Sequence, residues 1–321
     1  MSFRSIACPL ALIFDLLFCY GCRSQDATLP TLEEERLPFA ERTAIYPTDV
    51  PQHVMLPPLP DTLTFAGERV PLDRDDVREG LERELVVNTF GHSRTFYIMR
   101  NIERWRPLIE KTLRENSVPI DFIYLAVAES EFENTAQSPA GAVGMWQFMP
   151  LTGRDYGLHI DADVDMRRDP KLATEAAARY LKWSYARLKN WPLVATSYNK
   201  GLTGTQNVMK YQQTDNFWDL YLNPETARYF YRILSFKLVL ENPEAYGYFF
   251  RPEDQYRPLR FKMVTIDSDT DLVAFAKANN TTYRELRRLN PWFNNTSDYR
   301  LRVPANSSYE VRVPEQEEKS R

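Results

Sequence analysis

The chain has 321 residues, enough for two folded units, and 43% hydrophobic and 26% charged residues exclude both a wholly disordered chain and a multi-spanning membrane protein. A net charge of −4 leaves no basic footprint for a nucleic-acid partner. The only cysteines, Cys8, Cys19 and Cys22, sit at the extreme N-terminus, so the rest of the chain holds neither a disulfide nor a cysteine-based metal site.

Residues 1–21 have the layout of a signal peptide, with Arg4 followed by an apolar run from Ile6 through Tyr20. The run ends in Gly21-Cys22, which resembles a bacterial lipobox, although Asp15 interrupts the apolar region and Cys19 stands where Leu is usual. That resemblance implies an exported lipoprotein with Cys22 as its lipidated first residue, attached to a membrane through its lipid. Arg23 next to Cys22 is compatible with the periplasmic face of an outer membrane. Residues 22–74 are expected to form the lipidated N-terminus and a tether, since seven prolines fall between Arg23 and Pro60 without apolar periodicity. An irregular strap packed on the following domain suits the same residues.

Helical spacing begins near Asp75. Val77, Leu81, Leu85 and Val86 share one pattern, and Ile98, Ile102, Trp105, Leu108, Ile109 and Leu113 another. From Val118 to Leu240 helical segments are punctuated at Pro139, Gly141, Pro150, Pro170, Pro192, Gly201 and Pro224, and residues 75–250 read as one helical domain. Beyond Pro252 the pattern changes to strands at 261–266 and 301–303 around helices at 271–278 and 282–290, a small β-α-α-β module over 260–314. The fold class expected is therefore mainly α with a small mixed module at its end.

Phe122, Leu125, Ala126 and Glu129 fall on one helical stripe, which puts a carboxylate at the end of an apolar face. Burial there raises a carboxyl pKa, as a general acid requires. A salt-bridged structural glutamate fits the spacing equally well.

Around Glu129 the string Glu129-Ser130-Glu131-Phe132 is followed by Ser138-Pro139-Ala140-Gly141-Ala142 and by Gly144-Met145-Trp146-Gln147-Phe148-Met149-Pro150. Two further blocks are Ser197-Tyr198-Asn199-Lys200-Gly201 and Pro224-Glu225-Thr226-Ala227-Arg228-Tyr229. In this order they closely resemble the soluble lytic transglycosylase (SLT) family, particularly its membrane-bound type D branch. The resemblance implies a lysozyme-like helical domain that cleaves the bond from N-acetylmuramic acid to N-acetylglucosamine in peptidoglycan glycan strands without water, leaving a 1,6-anhydro end. It implies Glu129 as catalytic acid and base, with Ser138, Gln147, Met149, Tyr198 and Glu225 lining the sugar groove and Asn199 supporting it. No metal or cofactor is implied. Lys200 stands where Ala is usual and Trp146 where Met or Ile is common, departures that bear on groove width.

A hydrolase would need a second carboxylate. Glu131 and Glu133 are the obvious candidates, and helical spacing turns both away from Glu129 toward solvent. A muramidase on the same fold and a non-catalytic wall-binding protein are the alternatives; product mass separates the first, and a carboxylic acid on an apolar stripe argues against the second. His53, His92 and His159 have no metal-ligand spacing, which disfavours a zinc peptidase. Val264 to Pro304 resembles a divergent LysM domain, with Leu272, Ala276, Leu286, Leu289, Asn290-Pro291 and Val303-Pro304 in order. Ser268-Asp269-Thr270 replaces the usual Gly-Asp-Thr, and the glycine before the last strand is missing near Tyr299.

Overall fold

The computed structural model describes residues 55–294 and 297–315. The expected signal peptide, the lipidation site Cys22 and most of the tether lie outside them.

The first ordered element is a hairpin, β1 (Leu63–Phe65) and β2 (Glu68–Val70), joined through Ala66-Gly67 with both turn residues at positive φ, 53° and 81°. Such a turn matches the twist of the flanking strands. Leu63, Phe65 and Val70 are buried, and the Phe65 ring meets Phe122 at 5.2 Å and Phe230 at 5.1 Å edge to face. Residues 63–70, which composition grouped with the tether, are thus part of the core. Strands of three residues are too short for alternation to announce them.

The helices follow as α1 (Asp75–Phe90), α2 (His92–Ile102), α3 (Arg106–Glu115), α4 (Ile123–Ser130), α5 (Pro150–Asp155), α6 (Pro170–Leu188), α7 (Trp191–Lys200), α8 (Leu202–Gln212) and α9 (Pro224–Glu241). Pro150, Pro170, Pro192 and Pro224 each stand in the first turn of a helix, where the missing N–H costs nothing. Asp169, Asn190 and Asn223 cap α6, α7 and α9 by accepting backbone N–H bonds. α4 carries buried residues at every position from Ile123 to Val127, so it runs through the centre of the bundle rather than along a face. α9 packs against α1, α4 and α7.

The C-terminal module pairs β3 (Phe261–Ile266) with β6 (Tyr309–Pro314) in antiparallel register, Phe261 opposite Pro314 and Ile266 opposite Tyr309. Between them lie β4 (Thr270–Asp271), α10 (Leu272–Ala278), α11 (Tyr283–Leu289) and β5 (Arg300–Leu301), with β4 and β5 paired. The strand expected at 301–303 to close the module is therefore only a two-residue partner of β4. The closing strand is β6, whose buried Tyr309, Val311 and Val313 alternate, while the charged Arg312 between them obscures the pattern.

Arg312 is buried for a reason. Its guanidinium pairs with the equally buried Asp169 at 2.5 and 3.1 Å and lies 5.3 Å from the Phe261 ring centre. Asp169 also caps α6, so one carboxylate joins the module to the helical domain. The same seam carries Asp165 N–H to the Trp292 carbonyl at 2.9 Å, Asn294 N–H to the Asp163 carbonyl at 2.8 Å, and Arg302 to Asp163 at 2.8 Å. Removing one partner of a buried ion pair strands the other charge, at about 3–5 kcal/mol. Arg312→Ala is expected to destabilise the folded chain by that amount in urea denaturation; a loss below about 1 kcal/mol, the level of a surface pair, would contradict this reading of the seam.

Candidate active site

α4 delivers Glu129 in its last turn and then stops. Glu131 and Phe132 both adopt left-handed conformations, with φ of 57° and 64°, so the chain leaves the helix axis immediately after the acid. The Glu131 N–H still bonds the Val127 carbonyl at 2.8 Å, closing the helix. Ser130 fixes the exit: its hydroxyl donates to the Met145 carbonyl at 2.8 Å and accepts from the Glu133 N–H at 3.2 Å.

Met145 belongs to the facing wall, a compact loop between α4 and α5. Bridges Gln137 to Val143 and Val143 to Phe148 fold it on itself. Ser138 Oγ accepts the Ala142 N–H at 3.0 Å, and Gln147, at φ 48°, donates its side-chain amide to the Gly144 carbonyl at 2.8 Å. A Cβ on Gly144 would stand 1.9 Å from the Arg167 carbonyl oxygen, so only glycine fits. Arg167 donates to the carbonyls of Gly141 and Phe148, each at 3.0 Å, and Arg168 to Thr135 and Gln137 at 2.7 and 3.1 Å. Arg167 is itself paired with Asp165 at 2.7 Å, both buried. The wall is thus pinned from behind by the segment that the C-terminal module holds in place.

Between α4 and this wall opens a cleft of about 290 Å³. Glu129, Ser130 and Glu131 line it from one side, Ala136, Gln137, Ser138 and Gln147 from the other, and Arg94 of α2 from its edge. Arg94 pairs with Glu131 at 2.6 Å. Helical spacing placed Glu131 on a solvated face, but the helix ends before it and the left-handed turn brings it to the cleft instead. Glu133 lies further out, accepting from the Tyr97 hydroxyl at 2.8 Å.

The Glu129 carboxyl accepts a 2.5 Å hydrogen bond from the Tyr229 hydroxyl of α9. Burial pushes its pKa from the usual 4.5 up to about 7; the Tyr229 bond and the charge of Arg232 oppose this and are outweighed. Arg232 and its neighbour Arg228 are drawn toward Glu84, which is buried in α1 and sits 2.6 Å from Arg228 and 3.5 Å from Arg232. Burial, and then the charge of Glu129, also raise the phenols of Tyr229 and Tyr198 well above their usual range, so both remain protonated donors.

Of the groove residues expected from sequence, Ser138 and Gln147 line the cleft with Glu129. Tyr198 stands behind it, donating to the Trp146 carbonyl at 2.8 Å. Met149 is exposed at the start of α5. Asn199 and Glu225 are exposed where α7 ends and α9 begins, Asn199 accepting from the Thr226 hydroxyl at 3.2 Å. None of these last three lines the cleft. Trp146 is fully buried with its indole N–H on Thr174 at 2.9 Å, so it fills the core rather than narrowing the groove. Sequence reasoning missed Tyr229 as a partner of the acid, although it lies in a quoted block, and missed Arg94, for which no signal was present.

Residues 106–221 match the family model described as Transglycosylase SLT domain, and residues 262–317 match that of the soluble lytic transglycosylase C-terminal LysM-like domain. The chain is 26% identical over 238 residues to membrane-bound lytic murein transglycosylase D of Escherichia coli strain K12, covering 72% of this chain and 51% of that protein. The chain thus spans about half the length of that relative. It is also 36% identical over 97 residues to peptidoglycan transglycosylase gp16 of Escherichia phage T7, covering 29% of this chain and 7% of that protein. A solved structure of an inactive mutant of lytic transglycosylase Slt from Pseudomonas aeruginosa overlaps 48% of this chain and 26% of its own, with a TM-score of 0.35 and 20% identity, too slight a likeness to bear on the fold. The SLT match begins after α2 and ends before α9, so Arg94 and Tyr229 both lie outside it.

A carboxyl whose pKa is raised on folding favours the folded state only while it is protonated. That contribution is complete below pH 4.5 and is lost as pH rises through about 7. The cost of ionising Glu129 in its site is about 3 kcal/mol. Glu129→Gln is therefore expected to leave stability nearly unchanged at pH 4 and to raise it by up to about 3 kcal/mol at pH 8. Urea denaturation of both proteins at the two pH values checks this, and equal stability at pH 8 would contradict it.

Proposed function

We propose that this chain is a peptidoglycan lytic transglycosylase in which Glu129 is both acid and base. The observation that carries this reading is a carboxyl set at the side of an open cleft with a tyrosine hydroxyl orienting it, where burial raises its pKa to about 7. The proton of Glu129 goes to the glycosidic oxygen as the bond from C1 of N-acetylmuramic acid breaks. The 6-hydroxyl oxygen of the same sugar then bonds to C1, and its proton returns to the Glu129 carboxylate. Product is released with a 1,6-anhydro end, and the acid is regenerated without water.

The Tyr229 hydroxyl stabilises Glu129 in its ionised interval, because its hydrogen bond favours the charged form. Ser138 and Gln147 are assigned to the sugars beside the scissile bond. Tyr198 is assigned to shaping that part of the groove, and Met149, Asn199 and Glu225 to its outer reaches. Glu131, the other carboxylate of the cleft, is engaged by Arg94 and so is poorly placed to activate water for hydrolysis. The LysM-like module supports a peptidoglycan-binding role.

Mass spectrometry of fragments released from purified peptidoglycan tests the reaction. Anhydro ends from the native chain, absent with Glu129→Gln, are expected; fragments heavier by one water would mean a muramidase, and no release would favour a binding protein.

We further propose that the protein works in the cell envelope as a lipoprotein anchored through Cys22. The Gly21-Cys22 junction and the relative described as membrane-bound support this. Cys22→Ala is expected to abolish lipid labelling of the protein; labelling that persists would refute the anchor.

A further inference from the structure

Away from the Glu129 cleft, Arg104, Tyr256, Arg257, Arg260 and Arg288, with Pro258 and Leu259, enclose a hollow of about 530 Å³. It shares no lining residue with the cleft. Its walls come from the junction of α2 and α3, the connector that leads into β3, and α11 of the C-terminal module. The connector is held in place, with the Tyr256 N–H on the Arg100 carbonyl at 3.2 Å and the Leu259 N–H on that of Arg104 at 3.4 Å. Arg104 and Arg100 stack over the Tyr256 ring at 4.0 and 4.5 Å.

Among the described residues no carboxylate lines the hollow. Arg288 is answered by Glu285 at 2.5 Å, but among the described residues Arg104, Arg257 and Arg260 have no carboxylate partner. The hollow thus gathers guanidinium groups with no carboxylate partner among the described residues, in a chain whose net charge is −4. Guanidinium groups at a concave site recognise carboxylates through paired hydrogen bonds, and about 530 Å³ leaves room for a short peptide.

We propose that this hollow binds the carboxylates of a peptidoglycan stem peptide. This rests on the transglycosylase reading for the polymer that bears the peptide, and it adds a peptide contact to the sugar contacts of the cleft. Anchoring a side group of the strand there lowers the concentration of peptide-bearing substrate needed for turnover and leaves the chemical step untouched.

The test uses the full chain and the double variant Arg257→Ala/Arg260→Ala, with Arg104→Gln as a second variant. Both residues of the double variant are exposed, so the fold is expected to survive. The probes are the tetrapeptide L-Ala-γ-D-Glu-meso-diaminopimelate-D-Ala, the same peptide with its carboxylates amidated, and phosphatidylglycerol vesicles. Calorimetry should show the native chain binding the free tetrapeptide, about tenfold weaker binding in the double variant, and a similar loss on amidation. Absence of tetrapeptide binding by the native chain, or equal binding by the variants, overturns the proposal. Vesicle binding that the double variant loses, without peptide binding, overturns it in favour of a membrane contact. Parallel assays on glycan strands with and without stem peptides separate this from the catalytic reading. The double variant should raise KM only for the peptide-bearing strands at unchanged kcat, whereas a failure of the Glu129 assignment would leave both substrates uncleaved or make Glu129→Gln active.

Discussion

A carboxyl largely shielded from water at the side of a cleft, with no cation bonded to it among the described residues, is the constraint around which this protein is arranged. Glu129 can hold a proton near pH 7 only if its surroundings disfavour its charge. α4 meets that requirement by being apolar on every side before the acid. α9 supplies a neutral hydroxyl from Tyr229, which orients the carboxyl without neutralising it. The cations nearest on α9, Arg228 and Arg232, are held by Glu84 of α1. Were they free to reach Glu129, the acid would ionise and lose its proton-donating capacity. The α1–α9 contact therefore bears on the protonation of Glu129 as well as on the core.

The second requirement is a wall at fixed distance from the acid. Local turns alone do not fix the loop between α4 and α5; Ser130 ties it to the end of α4, and Arg167 and Arg168 hold it from behind. That backing segment is bonded in turn to the C-terminal module through Asp165, Asp163 and Asp169. The module is consequently a buttress for the cleft as well as a domain with its own core. Its Arg312, a charge inside a strand, makes sense only with Asp169 opposite it.

The helical architecture was legible from apolar spacing and from prolines that start helices. Glu129 stood out because a carboxylate ended an apolar stripe, and the ordered blocks gave its surroundings. What the sequence hid has physical causes. The β1–β2 hairpin is too short to show periodicity. β6 was masked by Arg312, because a buried charge paired across domains is indistinguishable in sequence from a solvated one. Helical spacing turns Glu131 to solvent, but α4 ends at Ser130 in a left-handed turn that no glycine announces. Tyr229 and Arg94 converge on the cleft from helices remote in sequence, a meeting that only tertiary packing creates. Trp146 lay beside a groove residue and turned out to face the core.

Burial on folding raises the pKa of one side chain, Glu129. A titration of Glu129 by carbon-13 NMR, with its carboxyl resonance assigned from Glu129→Gln, measures this directly. A midpoint near 7 is predicted. A midpoint at the ordinary glutamate value near 4.5 would contradict the account, since the carboxyl would then be ionised at neutral pH and unfit for the proton-donor role proposed for it.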